Sequence, residues 1–128
     1  MARKFKQSNK IEIKRNDKGR GGRGVYASKS FNKGELIEKV PCIILPCSEC
    51  KDILSWYVFC WDSEEICAVA LGYGSLYNHS YSANATYKTI EPDTIILRAF
   101  RDIKKGEEIT INYNGKPDDK DPMEFNVQ

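Results

Sequence analysis

The only histidine of this 128-residue chain, His79, lies in the segment GYGSLYNHSYSAN, residues 72–84. Its neighbours are asparagines, tyrosines and glycines rather than a cysteine, a second imidazole or an activated serine, so nucleophilic catalysis and metal binding lack their usual partners here. A single histidine is more often a structural residue than a catalytic one. The role of His79 therefore depends on which other segments lie beside it in the fold.

Two other segments carry residues that could do chemistry. GGRGVYA, residues 21–27, places glycines where a ligand could approach the backbone closely, although an ordinary turn would also use them. GEEITINY, residues 106–113, alternates as a β-strand with Ile109, Ile111 and Tyr113 on one face. Tyr113 is therefore either a core residue or a hydroxyl that faces a site.

The elements that must position these residues are mostly short strands. ATYKTI and TIILRAF are separated by Glu-Pro-Asp and predict a β-hairpin. FNKGELI and IKKGEEI each predict a turn followed by a strand, and the first strand is expected to break at Pro41. One helix is predicted after Ser48 as N-cap, with a single apolar face formed by Ile53, Leu54, Tyr57, Val58 and Trp61.

Length and composition predict one globular domain, since 128 residues with 41% hydrophobic and 30% charged side chains can bury a core. No apolar stretch approaches the roughly 20 residues that a membrane-spanning helix needs. The basic start MARKFKQSNK is not followed by the apolar run of a secretory signal. We therefore expect an intracellular protein, cytoplasmic or host-nuclear, without a membrane partner.

The net charge of +2 is unevenly distributed. Residues 1–24 hold nine Lys/Arg against two acidic residues, while the rest of the chain holds eleven against sixteen. A basic arm can be a solvated tail, or it can contact nucleic acid or an acidic protein. The acidic body favours a cationic substrate.

Cysteine is present in an odd number, which in a reducing compartment argues against a disulfide framework and predicts buried thiols. The pair Cys47-x-x-Cys50 lacks the compact second pair of a structural zinc site, so no metal is expected. The five residues are Cys42, Cys47, Cys50, Cys60 and Cys67.

Together the three segments resemble the SET-domain protein lysine methyltransferases. That family has a glycine loop before its first strand, an Asn-His-Ser followed by an Asn four residues on, and a Gly-Glu-Glu-Ile-Thr-x-x-Tyr strand, and all three occur here in order. The run AVALGYGSLYNHS is similar to the short, bare members known from viruses and bacteria. The resemblance implies a mostly β fold (β-rich α+β) of several small sheets of short strands, with one short helix and a knot-like C-terminal crossing.

The same resemblance divides the chain into three parts. It implies a basic N-terminal arm over residues 1–11, a SET domain over residues 12–114 and a tail over residues 115–128. Phe125 could make that tail fold back as a lid.

S-adenosylmethionine is the cofactor that the resemblance implies. Gly22, Arg23 and Gly24 correspond to the loop whose backbone approaches it. Asn78 and His79 correspond to the pair that holds it, largely through main-chain groups. His79 would then orient the cofactor rather than act as a general base.

Tyrosines carry the remaining assignments. Tyr113 corresponds to the family tyrosine whose hydroxyl lies beside the transferring methyl, so it is assigned to catalysis and to cofactor binding. Tyr57 resembles a tyrosine that lines the lysine channel, and it is assigned to catalysis and to that channel. Tyr87 falls where some members keep a tyrosine that limits the number of methyl groups.

Four positions depart from the family pattern. Ala83 replaces a common proline, and Ala85 stands where many nuclear members have a zinc-binding cysteine. Asn112 replaces the usual Asp, and Ile111 lies where Phe or Tyr is frequent. The last two leave the degree of methylation open.

The implied reaction needs no protein base. A free lysine has a pKa near 10.4. Two unit charges about 4 Å apart repel by about 4 kcal/mol at an effective dielectric near 20, so a facing sulfonium lowers that pKa by about three units. Desolvation in a narrow channel acts in the same direction. The site then needs alignment by aromatic walls and hydroxyl oxygens, which tyrosines supply.

Three functions remain open from sequence. The first is methylation of a protein lysine, with a histone tail as a candidate partner. The second is a SET fold that binds lysine or cofactor without turnover, and the third is nucleic-acid binding through the basic arm. A homodimer is also conceivable, because Trp56 and Trp61 could offer an apolar surface, although a core would use the same residues.

Overall fold

The computed structural model describes residues 5–17, 20–61, 63–113 and 115. In this part of the chain, nine strands are joined by turns and short 3-10 helices. The strands are β1 (Ile11–Arg15), β2 (Arg23–Ala27), β3 (Leu36–Pro46), β4 (Val58–Trp61), β5 (Ser63–Ala70), β6 (Asn78–His79), β7 (Ala85–Ile90), β8 (Thr94–Ala99) and β9 (Glu108–Ile111). The 3-10 helices span Arg20–Gly22, Cys47–Glu49, Asp52–Tyr57 and Gly74–Leu76.

The strands form two sheets, in the orders β1-β2-β9-β6 and β4-β5-β3-β8-β7. Neighbouring strands are antiparallel except β6 and β9, which run parallel. The C-terminal strand β9 therefore inserts between β2, near the start of the chain, and β6, in its middle. This insertion brings the three chemistry-bearing segments to one place, and the mostly β prediction is confirmed.

The core forms where strands alternate apolar and polar residues. Val25 on β2 and Ile109 on β9 face each other across the first sheet, and both are fully buried. Ile95 and Leu97 on β8 are buried in the second sheet. The predicted hairpin is confirmed, because β7 and β8 pair antiparallel along their whole lengths.

The two turns predicted from FNKGELI and IKKGEEI are similar to each other in structure. Gly34 and Gly106 have φ values of 87° and 89°, a left-handed conformation that strains residues with a Cβ. Just before these turns, Phe31 and Ile103 form an antiparallel bridge, and both side chains are buried. The repeated sequence pattern thus builds two turns that pack against each other.

The predicted break at Pro41 is wrong, because β3 continues through it to Pro46. Pro41 is the last β3 residue that pairs with β8, and pairing with β5 begins at Cys42. The carbonyl of Pro41 still accepts a hydrogen bond from Leu71 N at 3.0 Å. A residue without an N–H is tolerated at this change of partner, where it interrupts neither ladder.

The predicted helix is present only as a 3-10 segment, Asp52–Tyr57, and its proposed buried face is wrong. Ile53 and Leu54 are exposed, at 64% and 39%. Val58 and Trp61 lie on β4 instead, where pairing with β5 overrides the helical spacing. Trp61 is buried in the core, whereas Trp56 is exposed.

The expectation that no disulfide forms is also wrong. Cys47 and Cys67 are bonded, and this bond ties the 3-10 helix Cys47–Glu49 to β5. Their Cα atoms lie 5.2 Å apart, which is within the range a disulfide needs. Cys42 and Cys50 are buried thiols as predicted, while Cys60 is an exposed thiol.

The described part of the basic arm packs on the domain. Lys10 Nζ forms an ion pair with Glu35 at 2.9 Å, and Lys39 lies over the ring of Phe5 at 5.8 Å. The predicted lid residue Phe125 lies outside the described residues. Among those that are described, no helix is long and apolar enough to cross a membrane.

Candidate active site

A glycine cradle lies where β2 begins beside β6 and β9. Asn78 Nδ2 donates hydrogen bonds to the Arg23 carbonyl at 2.8 Å and to Glu108 Oε2 at 2.7 Å. A Cβ on Gly24 would collide with Glu108 Oε2, and it would lie 2.9 Å from Asn16 Nδ2 and 3.0 Å from Asn78 Nδ2. A residue with a Cβ would therefore have to displace the ends of these three side chains, which glycine leaves in place.

The loop before this cradle is held from both ends. Gly22 has a φ of 67°, and its carbonyl accepts a hydrogen bond from Asn16 N at 3.0 Å. Arg23 Nη1 donates to the Gly21 carbonyl at 3.3 Å, and the Arg23 guanidinium lies over the ring of Tyr57 at 5.9 Å. The loop is therefore a turn of defined conformation, and it contacts Tyr57, one of the predicted channel residues.

His79 is buried, at 6% exposure, and holds two strands together. It pairs with Ile111 in the parallel β6–β9 ladder, and its Nδ1 accepts a hydrogen bond from Tyr113 N at 2.9 Å. The accepting nitrogen carries no proton, so the ring proton lies on Nε2. Because Nδ1 is engaged by the backbone, this nitrogen is not available as a general base.

Tyr113 follows the end of β9, and its hydroxyl donates a hydrogen bond to the Tyr77 carbonyl at 2.5 Å. A hydroxyl has one proton and two acceptor lone pairs. Because the proton is committed to Tyr77, the oxygen can act toward a ligand as an acceptor.

Asn84 is the asparagine that follows the Asn-His-Ser motif in the sequence, and its side-chain amide holds β9 in place. Its Oδ1 accepts from Thr110 N at 2.9 Å, and its Nδ2 donates to the Glu108 carbonyl at 2.8 Å and to Glu107 Oε2 at 3.1 Å. The side chain is buried, at 2% exposure. It therefore acts as a substitute strand partner that sets the register of β9.

A cavity of about 240 Å³ opens beside this region, with an aromatic lining. Its described lining includes no carboxylate, imidazole or ammonium group. Burial raises the pKa of Tyr87, and the nearby Cys60 thiol raises it further, so Tyr87 is a neutral phenol here. The lining includes Tyr57, Phe59, Cys60, Tyr77, Tyr87 and Tyr113.

Two tyrosines connect the cavity to the cradle. Tyr113 lines the cavity while its backbone N–H is bound to His79. Tyr57 lines the cavity while its ring contacts Arg23, and its hydroxyl lies 3.0 Å from where a Gly21 Cβ would be. The fold brings together every residue that the sequence assigned to the site: Tyr57, Tyr87, Tyr113, Gly22, Arg23, Gly24, Asn78 and His79.

Sequence reasoning assigned no role to Glu108, Tyr77 or Glu38. Glu108 is the second glutamate of the Gly-Glu-Glu motif, and that placement was the available signal. Glu38 was visible as the only carboxylate of β3. Tyr77 directly precedes Asn78 but was not distinguished from its neighbours.

The departures from the family pattern lie in packed surroundings. Ala83, Ala85 and Asn112 are buried, at 5%, 0% and 2% exposure. Within the described ranges, no group of three or more His, Cys, Asp or Glu side chains is placed to hold a metal ion.

Comparisons with known proteins agree on one family. Residues 22–114 match the family model of the SET domain. The chain is 32% identical over 109 residues to a Schizosaccharomyces pombe protein named histone-lysine N-methyltransferase, H3 lysine-37 specific, a match that covers 80% of this chain and 72% of that protein.

Solved structures give the same result. A Plasmodium falciparum protein described as a candidate histone methyltransferase superposes with a TM-score of 0.69 at 32% identity, covering 83% of this chain and 94% of that chain. The Chaetomium thermophilum Polycomb Repressive Complex 2, in an autoinhibited conformation bound to S-adenosylmethionine, shares the fold with a TM-score of 0.62 at 20% identity. That match covers 80% of this chain but only 15% of the other.

Proposed function

The chain belongs to the SET-domain family, and from this premise we propose that it transfers the methyl group of S-adenosylmethionine to the ε-amine of a protein lysine. The observation that carries the proposal is the junction at Tyr113. Its backbone is bound to His79 beside the glycine cradle, and its side chain lines the aromatic cavity. One residue thus touches both halves of the site.

The cradle suits the cofactor, because two residues without a Cβ, Gly22 and Gly24, carry no side chain of their own over their main-chain groups. Gly22, Arg23 and Gly24 would hold it through main-chain groups, and Asn78 and His79 would hold it from β6. When bound, S-adenosylmethionine supplies an electrophilic methyl group and a positive sulfonium charge.

The cavity fits a lysine side chain. Its aromatic walls can pack against the aliphatic stem, as long cationic side chains commonly do on apolar surfaces. Tyr57 and Tyr87 stand as those walls, and the Tyr113 oxygen is the acceptor that orients the amine. The described lining contains no carboxylate or imidazole to take the proton of the amine, so this proton would pass to water, and the positive charge of bound S-adenosylmethionine would favour its loss.

We propose a histone tail as the substrate class. The relative at 32% identity is named as specific for lysine 37 of histone H3, and the similar Plasmodium protein is described as a candidate histone methyltransferase. Histone tails are strongly cationic, and residues 25–128 of this chain carry sixteen acidic against eleven basic side chains. A histone substrate would place the protein in a nucleus, or in the cytoplasm that supplies the nucleus with histones.

The test is methylation of a mixture of core histones by the purified full chain with isotope-labelled cofactor, followed by mass spectrometry of the peptides. We expect label on a lysine ε-amine, and Tyr113→Phe should reduce the rate by about a hundredfold or more. Tyr73→Phe is the matched control, because it removes a tyrosine hydroxyl outside the cavity lining. Cofactor binding by the wild type with no label on any histone or other basic protein would overturn the proposal.

A further inference from the structure

Glu38 is a carboxylate buried near the start of β3, at 2% exposure. Its oxygens accept hydrogen bonds from Tyr77 OH at 2.9 Å, Tyr73 N at 3.0 Å and Gln7 Nε2 at 3.3 Å. Among the ion pairs of the described residues, none includes Glu38. Burying a carboxylate is costly unless hydrogen bonds compensate, so these three donors stabilise Glu38 in its buried position.

These hydrogen bonds clamp one short turn. Tyr73 and Tyr77 lie on either side of the 3-10 helix Gly74–Leu76, and Glu38 binds the backbone of the first and the hydroxyl of the second. The same carboxylate therefore holds both ends of this helix against β3.

The turn lies close against its neighbours at two glycines. A Cβ on Gly74 would lie 2.5 Å from Ala70 Cβ and 3.0 Å from Val40 Cγ2. A Cβ on Gly72 would lie 2.6 Å from Glu38 Oε2. The position of Tyr77 is therefore set by its contact with β3 and by the Glu38 carboxylate.

Tyr77 in turn fixes Tyr113, since its carbonyl accepts the Tyr113 hydroxyl proton at 2.5 Å. The Tyr77 side chain is fully enclosed, and burial beside Glu38 raises the pKa of Tyr77 well above its ordinary value, so it remains a neutral donor. Two hydrogen bonds, one at the Tyr77 hydroxyl and one at the Tyr77 carbonyl, thus connect Glu38 through Tyr77 to the Tyr113 hydroxyl.

We propose that Glu38 is a positioning residue for methyl transfer, acting through Tyr77 to aim the Tyr113 hydroxyl into the cavity. The kinetic part of this inference rests on the proposed function, whereas its structural part does not. A displacement of about 1 Å at a catalytic group can lower a rate by about a hundredfold, so a remote clamp can matter for turnover without touching substrate.

The experiment uses two variants and one control in the full chain. Glu38→Gln keeps the shape of the side chain but turns one acceptor oxygen into a donor, and Tyr77→Phe removes only the hydroxyl while keeping the carbonyl. Glu35→Gln is the control, because Glu35 is a carboxylate near the start of the same strand that binds Lys10 and the Asn32 backbone at the surface.

The first readout is the NMR signal of the Tyr113 ring carbon that bears the oxygen, in protein made with 13C-labelled tyrosine and assigned through Tyr113→Phe. We expect Glu38→Gln and Tyr77→Phe to move this signal by more than its linewidth, and Glu35→Gln to leave it in place. An unmoved Tyr113 signal in both folded variants would overturn the inference, whether or not the protein is a methyltransferase.

The second readout is the effect of each variant on kcat and on KM, measured separately. The rate is expressed per cofactor-binding site, and calorimetry gives the number of these sites. We expect both variants to lower kcat between about tenfold and a hundredfold, with the cofactor Kd and the KM for lysine substrate within about twofold of the wild type. Loss of folded protein alone would remove binding sites without changing kcat per site, and that result contradicts the proposal. If Glu38→Gln does not fold, Tyr77→Phe decides the question by the same two readouts.

Discussion

The backbone N–H of Tyr113 donates a hydrogen bond to Nδ1 of His79 at 2.9 Å, so the only histidine of the chain holds a residue two positions beyond the end of β9. The ring centroids of these two residues are 5.1 Å apart. With the Tyr113 hydroxyl bound to the Tyr77 carbonyl, both the backbone and the side chain of Tyr113 are fixed. This geometry supports the proposed role of His79 in alignment rather than as a general base.

Gly24→Ala should weaken cofactor binding, because the added methyl collides with Glu108 Oε2 and displaces the Asn78 amide. We expect the Kd for S-adenosylhomocysteine, measured by calorimetry, to rise by about tenfold or more, which corresponds to a loss of about 1.4 kcal/mol of binding free energy. Gly34→Ala is the control, since an added Cβ at Gly34 meets nothing within 4 Å and brings only the backbone strain of a φ of 87°. Equal affinity in Gly24→Ala and wild type would contradict the cradle assignment.

Asn78→Asp should destabilise the protein by about 1–3 kcal/mol, because it removes a donor to Arg23 O and sets a carboxylate against Glu108. The double variant Asn78→Asp, Glu108→Gln reverses the polarity of that pair and should recover part of the loss. Urea denaturation at neutral pH measures both. A single variant as stable as the wild type, or no recovery in the double variant, would show that the pair is not formed.

The buried carboxylate predicts a pH dependence of stability. Burial raises the pKa of Glu38 above its ordinary 4.5, against the opposing hydrogen bonds from Tyr73 and Tyr77. The folded protein then keeps a proton that the unfolded chain has released, so this group's contribution to the free energy of unfolding is full below pH 4.5 and is lost as pH rises through the raised pKa.

Glu38→Gln removes the group that titrates and therefore removes this pH dependence. The wild type should exceed the variant in unfolding free energy, and this difference should shrink as pH rises from 4.5. Glu35→Gln should do the opposite, because hydrogen bonds from Asn32 and Lys10 lower the pKa of Glu35 and its contribution is lost as pH falls. Denaturation over a pH series that runs from neutral pH to about one unit below the ordinary carboxyl pKa measures both differences. A Glu38→Gln gap that widens with pH would contradict this assignment.

The Cys47–Cys67 bond predicts a thiol count. Alkylation of the unfolded chain should modify three cysteines without reductant, namely Cys42, Cys50 and Cys60, and all five after reduction. The bond closes a loop with a sequence separation of 20, so reduction should lower the free energy of unfolding by about 3 kcal/mol. Modification of five thiols in the unreduced protein would show that the bond is not formed.

Sequence patterns predicted the parts of the fold that are governed by local signals. The hairpin of β7 and β8 and the glycine turns at Gly34 and Gly106 follow from short motifs whose geometry is intrinsic. The apolar spacing around Ile53 did not predict the structure, because tertiary pairing of β4 with β5 took residues that a helix would have used. Periodicity cannot anticipate such competition in a short segment.

Sequence predicted the candidate site only at the residues that belong to recognisable motifs. The glycine loop, Asn78, His79 and Tyr113 came from the family resemblance, and the fold brings them together. The partners Glu38 and Tyr77 lie 39 positions apart, and nothing in either local sequence indicates the other. Likewise, the spacing of five cysteines could not indicate that Cys47 bonds to Cys67.

The most direct test of the central claim is a crystal structure of the full chain with S-adenosylhomocysteine and a lysine-containing histone peptide. We predict the cofactor product against Gly24 and Asn78, the lysine side chain inside the tyrosine-lined cavity, and its amine within hydrogen-bond reach of the Tyr113 oxygen. A cofactor bound away from the cradle, or a lysine bound outside the cavity, would contradict the claim.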